Sequence, residues 1–211
     1  MKKAERQILA NVIFSCVFLV LFVGCSSGKK KNEIDLSNVR FEEGDIVFRR
    51  GLGAKSNAVL YADKEGAYSH VGIIVKQDSE FMVVHITPGE REKNEKEDRI
   101  KMESPERFFS SMRAESGAVV RLKDSPDYAE KAAREACRLF RKGILFDHDY
   151  LLEDADKMYC SEMVWNAYLS VGKDITGGRR SKIENFPLYS GTYIFPSDLL
   201  KSDEVTLIYK F

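Results

Sequence analysis

Histidine is scarce in this 211-residue chain: there are three, at positions 70, 85 and 148. Cysteine is nearly as scarce, with four residues at 16, 25, 137 and 160, and no two of them stand at the CxxC spacing of a zinc knuckle or a thioredoxin-like centre. Charge of one sign is not in surplus, since 33 basic residues face 33 acidic ones, which gives no electrostatic reason to expect a nucleic-acid partner. No apolar run reaches the roughly 20 residues of a membrane-spanning helix, and no internal repeat is visible. What remains is ordinary globular material, 44% hydrophobic and 31% charged. The length suits one domain plus a targeting segment.

The N-terminus reads as that targeting segment. Lys2, Lys3 and Arg6 precede an apolar stretch over 12–24 that closes on Gly24 and Cys25, the layout of a secretory signal. A cysteine directly after the small residue resembles a bacterial lipoprotein signal, which implies lipidation of Cys25 after removal of residues 1–24. Residues 25–38 are polar, lack an apolar period and read as a tether. The expected domain therefore spans 39–211, outside the cytoplasm and held at a membrane of the cell envelope, with Cys137 and Cys160 as its thiols.

Within it, Ile46–Phe48 reads as a strand. Residues 69–76 and 80–87 are β-branched runs around Gln77-Asp78-Ser79, a hairpin signal. The charge-rich stretch 89–103 reads as a loop. Ser104-Pro105 and Ser125-Pro126 each offer an N-cap with proline at the first helical position, the first opening a short helix through Met112. The second helix sets Ala129, Ala132, Ala133, Ala136, Cys137 and Phe140 on one face and stops at Gly143, so Cys137 is expected in the core and inert. Met158–Val171 reads as another amphipathic helix, 174–192 as a loop and Val205–Phe211 as a closing strand. The sum is an α+β domain, an antiparallel sheet packed against helices.

Two features carry chemistry. Cys160 falls in the first turn of its helix, where the dipole and free backbone N–H groups favour thiolate and can receive an oxyanion. A hairpin turn centred between Gln77 and Asp78 sets His70 directly opposite His85, on one face and close enough to touch, whereas a slip of one residue would separate them. One imidazole then serves as base and the other orients it. Zinc binding by His70, His85 and Cys160 is the lesser alternative, and no metal or cofactor is expected.

GDIVFR at 44–49, YSHVGIIV at 68–75 and YCSEMVWNAY at 159–168 together resemble the circularly permuted, YiiX-like members of the papain-like NlpC/P60 superfamily, in which the histidine strand precedes the cysteine helix. The resemblance covers roughly 39–211. It implies Cys160 as nucleophile, His70 as base and His85 in the third polar position. Relatives often carry a Tyr-Asp pair upstream of the cysteine where this chain has Phe146-Asp147, so any role of that tyrosine is either lost or taken by Tyr150. Tyr68, Tyr150, Tyr159 and Asp147 are the candidate substrate contacts, and His148 is either a cleft or a surface residue. The activity implied is hydrolysis of amides in peptidoglycan-derived peptides or other acyl-amides. The alternatives are a lipid acyl hydrolase or acyltransferase similar to lecithin:retinol acyltransferase, and a non-enzymatic binding module.

Overall fold

A computed structural model describes residues 33–123, 126–152, 154, 156–184 and 190–211. The signal, Cys25 and the Ser125 cap lie outside the described residues. Six strands form an antiparallel sheet: β1 (Ile46–Gly51), β2 (His70–Gln77), β3 (Glu80–His85), β4 (Lys101–Glu103), β5 (Ala114–Leu122) and β10 (Val205–Lys210), in the order β10-β5-β1-β2-β3-β4. Two short pairs, β6 (Leu145–Phe146) with β7 (Lys157–Met158) and β8 (Ser181–Ile183) with β9 (Gly191–Tyr193), stand outside it. The helices are α1 (Ala54–Ala62), α2 (Pro105–Phe108), α3 (Pro126–Lys142), α4 (Cys160–Leu169) and α5 (Pro196–Leu200).

The central strands are buried on both faces, which is why β1 and β2 read as near-continuous β-branched and aromatic runs. On one face Ile46, Phe48, Val71, Ile73, Val84, Ala118 and Val120 pack with residues of α3 and α4. Five residues of α3 are buried, Ala129, Ala132, Ala133, Ala136 and Leu139, while Cys137 and Phe140 are only partly covered. The small alanines permit close approach: a Cβ on Gly44 would lie 2.6 Å from that of Ala129. Gly143, at φ +72°, ends the helix, its N–H reaching back to Leu139 O at 3.1 Å.

On the other face Val47, Ile74, Val83 and Val119 pack with Phe108 and Phe109. Ile34, Leu36, Val39 and Phe41 close this second core, and Ser111 donates from both N and Oγ to Glu33. Glu33 thus belongs to the folded domain. Residues 33–38, expected in the tether, are part of it because two apolar side chains among polar ones sufficed to anchor an irregular segment.

Other boundaries also move. Ser104 caps α2 as expected, accepting from Arg107 N at 3.3 Å, but the helix ends at Phe108. The charge-rich loop gives up Lys101–Glu103 to β4, and α4 begins at Cys160 because Met158 belongs to β7. The 174–192 loop contains the β8–β9 pair, and the 51–67 stretch contains α1.

A chain beginning at Val39 should be less stable than one beginning at Glu33. Losing Ile34 and Leu36 from the second core should cost about 1–3 kcal/mol, read as a lower midpoint in urea. Equal midpoints would mean that the segment lies on the domain without stabilising it.

Candidate active site

The hairpin of β2 and β3 turns through two residues, Asp78 and Ser79, both at positive φ (49° and 75°). Gln77 therefore pairs with Glu80, and His85 pairs with Gly72 rather than with His70. The expected register is displaced by two residues. Because side chains alternate with a period of two, the displacement keeps both histidines on one face. His70 Nε2 lies 3.0 Å from His85 Nδ1, and the rings meet edge to face at 5.1 Å. Gly72 is what makes the diagonal contact possible. A Cβ there would meet Val83 Cγ1 at 2.6 Å and His85 Cβ at 3.1 Å.

Sequence reasoning missed the residues behind this pair. His85 is fully buried, and its Nε2 lies 3.1 Å from Glu103 Oε1, near in distance though not ideally aligned as a hydrogen bond. Arg113 reaches both Glu103 oxygens at 2.9 Å. Glu90, from the loop between β3 and β4, bridges Arg49 and Arg113. Arg49, beside His70 in the register of β1 and β2, is buried, donates to Phe108 O at 2.8 Å and stacks on the Phe108 ring at 4.6 Å. The same ring lies 5.5 Å from His70 and 5.2 Å from His85. The signal for Glu103 was present but weak: a carboxylate directly before a Ser-Pro cap, in a stretch with too many charges to single it out.

The electrostatics follow from burial. Desolvation is the main force holding His70 well below the usual histidine range, with the Arg49 charge second. Desolvation also lowers His85, partly opposed by Glu103. Burial works to raise Glu103, yet the His85 and Arg113 contacts outweigh it and hold the carboxyl down to about 2. The site therefore rests as two neutral imidazoles beside an ionised carboxylate.

Cys160 is the first residue of α4 and half-buried. The parallel pair β6–β7 leads the chain into it, and Tyr159 N–H donates to Glu162 Oε2 at 3.2 Å to close the first turn. Helix α4 packs on β2 and β3 from the face opposite the imidazoles. Burial is the largest influence on the Cys160 thiol, and backbone N–H groups oppose it, first that of Val71, the residue after His70. Even so, burial raises the thiol. Cys137 is half-buried on α3, and burial raises its thiol as well.

The four candidate substrate contacts separate. Tyr68 is buried against Phe48 and donates to Gly117 O at 3.3 Å. Tyr159 is buried, and its hydroxyl accepts from Ile194 N–H at 3.0 Å. Asp147 is buried and accepts the N–H groups of Asp149 and Leu151, shaping the turn before β7. These three are held by the fold itself. Tyr150, at φ 56°, stands between Phe146 and Tyr159, its ring 5.8 and 5.6 Å from theirs. His148 is exposed, 3.6 Å from Asp98.

Comparison with known proteins agrees with this architecture. A family model described as permuted papain-like amidase enzyme, YaeF/YiiX, C92 family, matches residues 40–209. Among solved structures, one described as metalloprotein yiiX from Escherichia coli O157:H7 has a TM-score of 0.63 at 21% identity, covering 81% of this chain and 97% of that one. No curated protein matches the chain.

Glu162, two residues after Cys160, supplies a measurable consequence. Burial, followed by the nearby Asp147 and Asp154, outweighs the Tyr159 N–H and raises its carboxyl to about 8. A raised carboxyl pKa favours the folded state at low pH. That contribution is whole below the unfolded value near 4.5 and is lost as pH climbs toward 8, at up to about 1.4 kcal/mol per unit. Glu162→Gln keeps an acceptor for Tyr159 N–H without the titration. Urea unfolding at pH 5, 6.5 and 8 should show a flatter profile for the variant and a more stable variant at pH 8. Parallel profiles would mean that Glu162 is ionised in the folded protein.

Proposed function

Because the chain belongs to the permuted papain-like amidase family of YaeF and YiiX, we propose that it is a cysteine hydrolase of amide bonds, with Cys160 as nucleophile, His70 as general base and His85 orienting the base. The observation that supports this reading is the approach of Cys160 to the start of β2: the N–H of Val71, the residue after His70, acts to lower the thiol, and His70 Nε2 is already engaged by His85. His70 Nδ1 is the ring nitrogen left for the thiol.

In this mechanism the Cys160 proton passes to His70 Nδ1 as the sulfur attacks the amide carbon, and a C–S bond forms. The backbone N–H of Cys160 helps hold the oxyanion. Collapse breaks the C–N bond, and the leaving amine takes the proton from His70. Water, deprotonated by His70, then cleaves the thioester and restores the thiol. Peptidoglycan-derived peptides and other acyl-amides are the substrates this reading favours, at a domain tethered to a membrane of the cell envelope through lipid on Cys25.

The word metalloprotein attached to the E. coli structure raises the question of a metal here. His85, Glu90 and Glu103 place one donor atom each within 4.8 Å of one another. Their carboxylates, however, are already claimed: Glu90 by Arg49 and Arg113, Glu103 by Arg113 and Arg107. A divalent ion would face two buried or half-buried guanidinium groups, so the residues do not fit one, and no step is routed through a metal.

Cys160→Ala and His70→Ala should each lower turnover of peptide and acyl-amide substrates at least a hundredfold, and His85→Ala less. Ester substrates run in parallel separate an amidase from a lipid acyl hydrolase. Full activity in purified Cys160→Ala would end the cysteine mechanism. A second expectation concerns the anchor. Cys25→Ala should abolish labelling by a fatty-acid probe in cells and release the protein on a carbonate wash. Retention equal to the wild type would make the N-terminal segment itself the anchor.

A further inference from the structure

The order of contacts behind His70 has a consequence for where its hydrogens sit, one that rests on the reading of His70 as base. We propose that Glu103 is a positioning residue: acting through His85, it sets the tautomers of both imidazoles and leaves His70 Nδ1 as a bare lone pair.

The argument is an accounting of hydrogens along one line. Between His70 Nε2 and His85 Nδ1, 3.0 Å apart, there is room for one. A neutral imidazole carries its hydrogen on one nitrogen and accepts on the other. Suppose His85 donated from Nδ1. Its Nε2 would then be a bare acceptor 3.1 Å from an ionised carboxylate oxygen, in a residue with no exposure to water. Two acceptors facing one another in a dry site repel, and nothing screens them. With the hydrogen on Nε2 the same contact becomes attractive. His85 Nδ1 is then the acceptor, His70 must donate from Nε2, and His70 Nδ1 is left without a hydrogen.

The surroundings keep this arrangement from being lost to protonation. The charged groups facing the pair are Arg49 on β1, Glu90 in the loop before β4, Arg113 just before β5 and Arg107 on α2, with the Phe108 ring against both imidazoles. Arg113 grips both Glu103 oxygens and keeps the carboxylate ionised, so it remains an acceptor. Arg49 beside His70 disfavours a resting imidazolium. When His70 takes a proton at Nδ1, its Nε2–H already faces His85 Nδ1, and the His85 Nε2–H lies beside Glu103 Oε1 at 3.1 Å. The new charge is met by groups that need not move.

The chain's three histidines make the test direct. Ring 15N spectra of the histidine-labelled full chain, recorded without substrate at pH 7, report the tautomer of each imidazole, and exposed His148 serves as an internal reference. The expected result is hydrogen on Nε2 for both His70 and His85. Glu103→Gln retains an acceptor and should keep both tautomers, with kcat about tenfold lower and KM little changed. Glu103→Leu removes the acceptor. It should mix the tautomers of both rings and lower kcat a further tenfold or more. If Glu103→Leu fails to fold, the wild-type and Gln spectra decide the matter. A folded wild type with hydrogen on His70 Nδ1 overturns the proposal. So does an equal kcat loss in the Gln and Leu variants, which would reduce Glu103 to a partner of Arg113. An active Cys160→Ala enzyme would instead refute the hydrolase reading, while the spectra would still stand or fall alone.

Discussion

Burying charge is the constraint on which the rest of this structure depends. One face of the sheet holds Arg49, Glu90, Arg113, Glu103 and two imidazoles around Phe108. Taking such ions out of water costs several kcal/mol each, and a mutual attraction repays it only if every charge keeps its partner. That condition explains features which otherwise look unrelated. Strand β4 must pair with β3 to bring Glu103 under His85. The charge-rich loop must fold back to bring Glu90 between the two guanidinium groups. Helix α2 must start directly after Glu103, because its Phe108 supplies the ring and the carbonyl that hold Arg49. Ion pairs of this kind add little net stability compared with apolar packing, but removing one partner leaves a buried charge uncompensated.

The sheet separates the two halves of the proposed chemistry. Helix α4 lies on one face with the alanine-rich α3, and the imidazoles lie on the other. Residues of opposite faces can meet only where the sheet ends, and His70 is the first residue of β2 while Cys160 is the first of α4. In the proposed site these two element ends come together. This geometry does not depend on whether the helix precedes or follows the strand in the chain, which is the physical reason a permuted order preserves such a site.

Much of this was legible in sequence because it rests on strong local signals. The β2–β3 hairpin, the Ser104 cap and the helix starting near Cys160 all follow from periodicity, turn chemistry and capping. The observed register differs from the expected one by two residues, since Asp78 and Ser79 form the turn at positive φ and Gln77 belongs to the strand. The facing of the two histidines survived because the error was even. Glu103 is only faintly legible: β4 is three residues long, gains its identity only by pairing with β3, and sits in a run where nearly every residue is charged. Leu36 and Ile34 read as tether in the sequence because two isolated apolar residues carry no period. Tertiary packing, not local pattern, decided both cases.

The protonation state of the resting site is a contest between the helix end and burial. A helix N-terminus favours an anion by about 0.3–1 kcal/mol at ordinary sites and by roughly 2 in good partly buried ones. The backbone N–H groups of Val71, Ser161 and Cys160 act in the same direction on the sulfur. Desolvation nevertheless prevails, and the Cys160 thiol stays above its usual value. The same force holds His70 neutral, with Arg49 and Arg113 adding to it. A thiolate–imidazolium pair would therefore place a new cation among existing guanidinium groups before any substrate arrived. On the proposed mechanism the site would rest with a neutral thiol and a neutral base, and charge would appear only as the sulfur attacks. On the proposed mechanism the cation would then form on His70, from which a line of contacts runs through His85 to the Glu103 carboxylate. Storing the base as a bare nitrogen rather than as half of an ion pair is what a buried site of this composition can sustain.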